Sequence, residues 1–467
     1  MNEMELLKEV ELQSHWADVA IAIASGDSKL AVDSASDLIC RQFTFKTMLD
    51  NEELWFYESG YYKNSGENIV KKIIQDCVEI KLKINLRFIN EVIASVKRKT
   101  YLDREAFEAP VHLICVGNGV FDIDGGELLP HDPKYFFKSK ININYNPQAD
   151  CPHIRDFVKS TFEEKHFWTA FEIPAYLLWR EHKIQKAVML NGSGDNGKSR
   201  YIELLEIFCD KKNLASEQLQ SLCNDKFSTA QLYGKLGNFS ADLPATGVDQ
   251  TGEFKKLTGG DTISAQHKFG QPFQFKSYAK LVFSANEVPA AKDNTDAFFK
   301  RWIIIDFPFK FRNDLKEEEY GEIFKKANID ILKELITPPE LEGLLNVALI
   351  KLKELMQRGT FSCNQTVEEV KNRYLIKSNS ALAFLTANIS ENPTDETPGE
   401  TDLFIEKEFL WQEYLAFCSA NHTPPKTETY FFIQIRVLYE CGTERRSVKL
   451  GLRKMVFSGI RYDPIWK

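Results

Sequence analysis

The chain has 467 residues, 43% hydrophobic and 27% charged, with a formal net charge of -8. That length predicts about two to four domains, and no apolar run approaches the roughly 18 residues of a membrane helix, which excludes a helical membrane protein. The acidic balance excludes a protein that coats nucleic acid over its whole surface, but not a local basic channel.

The N-terminus, Met1-Asn2-Glu3-Met4-Glu5, is acidic where a signal peptide is basic, and the nine cysteines are odd in number with no Cys-x-x-Cys pair. Both favour reduced thiols in a cytoplasm (the host's, for a viral chain) over a disulfide framework or a zinc finger.

Residues 1–155 read as a mainly helical domain with two short hairpins. The first is Leu54-Trp55-Phe56-Tyr57, the turn Glu58-Ser59-Gly60, and Tyr61-Tyr62-Lys63. Ile69 to Lys99 has apolar residues at helical spacing, in more than one helix. The second hairpin runs from Gly119 through the turn Gly125-Gly126 to Leu129. Its Asp122-Ile123-Asp124 has the form of a D-x-D metal pair, but the adjoining glycines make a turn the better account. Cys151-Pro152-His153 lacks a second Cys/His pair to complete a zinc site.

Residues 156–330 change to strand, Gly-rich loop and helix. Ala187-Val188-Met189-Leu190 is a short buried-type strand, and further apolar runs follow at Leu236 to Ala241, Ala279 to Ser284 and Trp302 to Ile305. They predict an α/β core with a mainly parallel sheet flanked by helices. Residues 331–389 read as a helical extension, 390–402 as a linker rich in Glu, Pro, Thr and Gly, and 403–467 as a basic domain of helices ending in strand.

Between the first core strand and its helix, Gly192-Ser193-Gly194-Asp195-Asn196-Gly197-Lys198-Ser199 fits G-x-x-x-x-G-K-[ST] at every fixed position. Gly192 and Gly197 permit the backbone angles that turn N–H groups inward, and the following helix aims its N-terminus at the same anion. Lys198 supplies a point charge to the β and γ phosphates of ATP, and Ser199 a hydroxyl to Mg²⁺. A Gly-rich turn without a ligand is the bland alternative. Asp242, after the run Leu236 to Ala241, stands where such enzymes keep a carboxylate for Mg²⁺. Asn286 ends the next run and suits a residue that orients water or senses the γ-phosphate. Arg301, with Lys300, precedes another strand, where it suits a charge offered in trans to a neighbouring subunit. Each has a plain alternative as a surface or paired polar residue.

Together the stretches NGSGDNGKS (191–199), LYGKLGNFSADLP (232–244), the segment 254–289 and DAFFKRWIIIDFP (296–308) resemble a superfamily III helicase of the phage/plasmid primase C-terminal family, a group related to the poxvirus nucleoside-triphosphatase-primase. Upstream, residues 116–136 and 143–157 resemble the helical domain before the motor, and 403–418 resembles the start of a winged-helix region. The resemblance implies an AAA+-like core. Lys198 and Ser199 carry the A motif, Asp242 the B motif, Asn286 the sensor and Arg301 the arginine finger. It also implies a ring, usually a hexamer, that draws single-stranded DNA through its pore in the 3′-to-5′ sense and unwinds forked DNA, with a separate primase or polymerase as a further partner. Ser240-Ala241 precede Asp242 where many relatives have a second acid, so the residue that activates water is left open. Many relatives also have two arginines where this chain has Lys300-Arg301.

From Thr251 to Ala285 there are five lysines (255, 256, 268, 276 and 280) against two acids. His267-Lys268-Phe269 fits a hairpin tip that touches DNA, Lys268 and His267 following phosphates and Phe269 meeting sugar or base faces, with Lys255 in the same basic stretch. A solvated lysine loop is the alternative. Lys426 to Lys467 carries nine Lys/Arg against four Asp/Glu with interleaved aromatics, as a DNA guide or as a stripe that packs on the acidic body. The rival functions are a P-loop ATPase that acts as a loader or assembly switch without unwinding, and a binding module with a degenerate site.

Overall fold

A computed structural model describes residues 16–77, 84–192, 194–240, 243, 251–286, 288, 289, 291, 293, 295–391, 404–421, 423–439, 441–447, 453–458 and 460–462. In the N-terminal part, residues 16–24 are helical, and α1 (Ser28–Gln42) follows, capped by Asp27, whose carboxylate accepts from the Leu30 N–H at 3.0 Å. Strands β1 (Phe45–Met48), β2 (Leu54–Glu58) and β3 (Tyr61–Lys63) follow, then α2 (Gly66–Cys77), α3 (Leu86–Lys99) and β4 (Tyr101–Leu102). The β2–β3 turn is tight because Ser59 and Gly60 both take positive φ, 55° and 100°. The sheet order is β3-β2-β1-β4, with β1 and β4 parallel. This part therefore holds more strand than its helical patterns suggested.

A second small sheet joins β5 (Leu113–Val116), β6 (Gly119–Asp122) and β7 (Glu127–Leu129). Asp122 accepts from the N–H groups of Asp124 and Gly125 at 2.9 and 3.2 Å, so its carboxylate shapes the turn. Among the described residues no group of three or more His, Cys, Asp or Glu is placed to hold a metal ion.

The core consists of α4 (Pro152–Thr161), α5 (Phe167–Leu178), β8 (Ala187–Asn191), α6 (Lys198–Cys209), β9 (Leu214–Ala215) and β10 (Gly237–Ser240). It continues with α7 (Gly252–Gly259), β11 (Thr262–Gln266), β12 (Pro272–Lys276), β13 (Lys280–Ala285) and β14 (Trp302–Asp306). Five strands lie in the order β14-β8-β13-β10-β9, and every neighbouring pair is parallel. The sheet is covered on both faces, which is why its strands read as unbroken apolar runs rather than alternating ones. Helix α5 is buried from Thr169 to Leu178 and packs against α6 and the long α8 (Pro338–Arg358). Glu340 on α8 caps α4 across the joint, accepting from the His153 and Ile154 N–H groups, both at 3.1 Å. Strands β11 and β12 form a separate antiparallel ribbon, and β15 (Lys310–Arg312) pairs in parallel with β16 (Phe324–Lys326).

Beyond α8, α9 (Val367–Ser378) begins with a capping box of Thr366 and Glu369. It leads to α10 (Ser380–Asn388), β17 (Ile389–Glu391), β18 (Phe404–Glu406), α11 (Lys407–Ala420) and α12 (Glu428–Leu438). Strands β19 (Gly442–Ser447), β20 (Arg453–Ser458) and β21 (Ile460–Tyr462) complete the C-terminal module. Residues 390 and 391, which composition assigns to a linker, extend β17 and pair with β21. The rest of the 390–402 stretch lies outside the described residues.

Candidate functional site

Strand β8 ends at Asn191, and the glycine-rich loop leaves the carboxyl edge of the sheet beside the end of β13, where Ala285 pairs with Asn191. Positive φ values at Gly194 (92°), Asp195 (51°) and Gly197 (81°) curl the loop and point it into the first turn of α6. The curl has no room for side chains at Gly192 and Gly197. A Cβ on Gly192 would lie 2.0 Å from Asn196 Nδ2, and one on Gly197 would lie 2.9 Å from Thr161 Cγ2. The buried Asn196 accepts from the Lys198 N–H at 3.2 Å, while its Nδ2 has no hydrogen-bond partner among the described residues.

Lys198 is buried at the start of α6. Its ammonium donates to Gly192 O at 3.0 Å, Ala285 O at 2.9 Å and Asn286 Oδ1 at 2.9 Å. The two residues that sequence assigned to phosphate binding and sensing are therefore in contact. Ser199 is exposed in the same turn. Ser193 and Asp242 lie outside the described residues. A cavity of about 800 Å³ opens over the loop, with Phe157 and Phe311 among its walls.

One part of this cavity was not read from the sequence. The β15–β16 ribbon roofs the loop: the Phe311 N–H donates to Asp195 O at 2.6 Å, and Lys310 Nζ to Gly194 O at 2.9 Å. Lys325 Nζ ties the ribbon to Ser160 O on α4 at 2.7 Å. The alternation Lys310-Phe311-Arg312 was its signal, but three residues are too few to separate a strand from a loop.

Arg301 stands at the other end of the sheet. β14 pairs with β8 from Trp302↔Ala187 to Asp306↔Asn191, so Arg301 precedes the amino-terminal edge while the loop leaves the carboxyl edge. Five residues of strand separate them, about 16 Å. Its guanidinium donates to Ala297 O at 2.5 Å, and burial pushes its pKa below the usual arginine value against the opposing pull of Asp261. It does not reach the loop of its own chain.

At the tip of the β11–β12 ribbon, Lys268 and Phe269 are exposed, Phe269 at 97%, with Lys268 Nζ 5.5 Å from the Phe269 ring centroid. Other members of the basic stretch do not join them. His267 turns inward, stacked on Phe273 at 5.3 Å and paired with Glu53 at 3.2 Å. Lys255 pairs with Asp293 at 2.5 Å on α7, before the ribbon begins. Lys280 is fully buried, donating to Glu181 O at 2.5 Å, and Lys256 pairs with Glu253 of its own helix. The free-standing charge of this segment is therefore smaller than the count of five lysines suggested.

The C-terminal module mixes core aromatics with exposed apolar and basic side chains. Phe431 is core, and the outer face of α12 shows Tyr430, Ile433 and Val437 beside Arg436.

A parallel sheet flanked by helices, with a curled glycine-rich loop at the amino end of α6, places the core in the α/β class. Residues 47–163 match the family described as D5 N terminal like, and residues 190–301 match a family of unknown function, DUF5906. "Putative helicase L207/L206" of Acanthamoeba polyphaga mimivirus is 27% identical over 237 residues, 47% of this chain and 24% of that protein. "Putative helicase 121R" of Invertebrate iridescent virus 3 is 25% identical over 301 residues, 58% of this chain and 32% of that protein. The chain thus spans about a quarter to a third of the curated relatives it matches. The apo structure of the NrS-1 C terminal region aligns with 91% of this chain and 98% of its own at 13% identity and a TM-score of 0.45, too loose for residue-level correspondence. The two matched modules and the viral relatives fit the phage and viral primase-helicase family.

Proposed function

We propose that the chain is the ATP-hydrolysing motor of a replicative DNA helicase of a phage, plasmid or related mobile element. The reading rests above all on one observation: the Lys198 ammonium lies over a curled, glycine-dependent loop and touches Asn286 at the end of the adjacent strand. In this reading Gly192 to Ser199 cradle the phosphates, and phosphate oxygens replace the carbonyls that Lys198 now contacts. The buried Asn196 Nδ2, which has no hydrogen-bond partner among the described residues, fits such an anion. Mg²⁺ would be held by Ser199 and Asp242, and when bound it neutralises charge on the β and γ phosphates.

Asn286 then serves as the γ-phosphate sensor. Arg301 completes the site of a neighbouring chain, as an AAA+-type ring, usually hexameric, requires. Lys268 and Phe269 at the ribbon tip grip single-stranded DNA in the pore, with 3′-to-5′ translocation following from the family resemblance. The C-terminal module takes the place of the winged-helix region.

The test is ATP-dependent unwinding of forked DNA by wild type, Lys198→Ala and Lys268→Ala. The expected result is loss of unwinding in both variants, with basal ATPase kept by Lys268→Ala. A wild-type protein that assembles and hydrolyses ATP without unwinding would instead be a loader or assembly switch.

A further inference from the structure

The carboxylate of Asp306, at the last position of β14, is buried directly behind the phosphate loop. On one side it accepts from Asn191 Nδ2 at 2.8 Å, and Asn191 is the residue just before Gly192. The same strand end braces the loop through its backbone, since the Phe307 N–H donates to Asn191 O at 2.9 Å and a Cβ on Gly192 would lie 3.2 Å from Phe307 Cβ. On the other side Asp306 faces two cations of α9, Arg373 at 3.3 Å and Lys377 at 3.3 Å.

Those cations have second partners. Arg373 donates to Ile304 O of β14 at 3.0 Å, which fastens α9 to the sheet. Lys377 donates to Asn421 O at 2.7 Å, at the end of α11 in the C-terminal module. Helix α10 follows α9 directly, and its Phe384 and Leu385 belong to the hydrophobic core of that module. One buried carboxylate therefore joins the root of the phosphate loop to the C-terminal module through Lys377. A cavity of about 400 Å³ lies beside the junction, lined by Gly192 and Asn286 on one side and by Lys377 and Thr423 on the other. The packing there leaves room for a small shift between the two parts.

We propose that Asp306 is a positioning residue of the nucleotide site that makes phosphate-loop occupancy and the placement of the C-terminal module one coupled equilibrium. The inference rests on the nucleotide reading above. A nucleotide that reshapes the loop moves Asn191 and with it the Asp306 carboxylate, and the Lys377 bridge to α11 must follow or break. By reciprocity, a ligand that shifts the C-terminal module changes nucleotide affinity by the same factor.

The test is hydrogen exchange of residues 380–391 and 404–421 in the full chain, with and without Mg²⁺ and a non-hydrolysable ATP analogue. Nucleotide affinity is measured on the same samples. In wild type, saturating nucleotide is expected to change exchange in both segments. Lys377→Met is expected to bind nucleotide and to lose at least two-thirds of that change. Arg373→Met, which breaks the other arm, is read in the same way if Lys377→Met does not fold or bind. Wild-type protein that binds nucleotide with no change in either segment would overturn the coupling alone, as would a variant that keeps the whole change. Wild-type protein that binds no nucleotide would overturn the nucleotide reading and the coupling with it.

Discussion

Replacing Phe269 with glycine separates a DNA contact from a structural one. The ring is 97% exposed, so its removal loses almost no buried area. Its backbone has φ 66°, in the left-handed region, which costs an L-residue about 1–2 kcal/mol and glycine nothing. Glycine returns about 0.5–1 kcal/mol through the greater freedom of the unfolded chain. The exposed contact with Lys268 contributes about 0.5 kcal/mol more to the wild type. These terms nearly cancel, so the unfolding midpoint should stay within about 4 °C of wild type. If the ring stacks on a base, its loss costs about 1–3 kcal/mol of binding, a 5- to 150-fold weaker complex. Fluorescence anisotropy with a labelled single strand at two or more salt concentrations measures this. The salt slope should stay unchanged, because no charge is removed, whereas Lys268→Ala should flatten it. Wild-type affinity in Phe269→Gly would refute the tip as a DNA contact. A midpoint lowered by much more than 4 °C would show that the ring supports the fold.

Gly197→Ala places a methyl 2.9 Å from Thr161 Cγ2 at φ 81°, and nucleotide affinity should fall at least about tenfold while the rest of the fold is kept, read as loss of the thermal shift given by ATP. Burial pushes the Glu53 carboxyl up, but His267 and Arg104 outweigh it and hold the pKa below the ordinary value of 4.5. A depressed carboxylate stabilises above the unfolded value and loses that contribution as the pH falls through the folded one, so Glu53→Gln should flatten the acid side of the stability profile below about pH 4.5 and leave the neutral slope unchanged. Glu172 is fully buried and accepts from Arg358, from the Ser362 N–H at 2.8 Å and from Ser362 Oγ at 2.5 Å. Glu172→Ala leaves the Ser362 N–H without its acceptor, while the partly exposed Arg358 keeps its bond to Thr360 O at 2.7 Å, and denaturant unfolding should show a loss of about 1–3 kcal/mol.

The glycine-rich loop was legible because its backbone demands particular residues at fixed spacing, and the core strands because burial on both faces leaves short apolar runs. Strands β1 and β4 were missed, since a two-residue parallel partner such as Tyr101-Leu102 has no pattern of its own. Lys280 shows why charge counting misled: it begins a fully buried strand, where its Nζ donates to Glu181 O and lies 4.5 Å from the Tyr176 ring centroid. Likewise Phe431 reads as an aromatic among basic residues, but it stacks on Tyr414 at 4.4 Å inside the C-terminal core. Asp306 ends a run of apolar residues just as Asn286 does. Its partners on α9 lie about seventy residues downstream, a pairing that no local pattern contains.

The path of β13 gives the nucleotide site and the ribbon a mechanical relation. At its carboxyl end the strand passes into Asn286, against Lys198. At its amino end only Ser277, Tyr278 and Ala279 separate it from β12, and all three are buried. A strand held between parallel neighbours on both sides does not bend freely, so a displacement at one end is carried to the other rather than absorbed. The exposed Lys268 and Phe269 sit at the far end of that lever, on a ribbon that pairs with no strand of the core sheet. Its Ile263, Ala265, Phe273 and Phe275 pack into the core, and nearer the tip it meets the N-terminal part through the His267–Glu53 pair and through Arg104, whose guanidinium lies over Phe273 at 4.5 Å and is gripped by Asp50 at 2.7 and 2.8 Å. In the proposed motor, movement of the tip would slide or break the His267–Glu53 contact with the N-terminal part. That places Glu53, far from the glycine-rich loop in sequence, where it would resist such a movement.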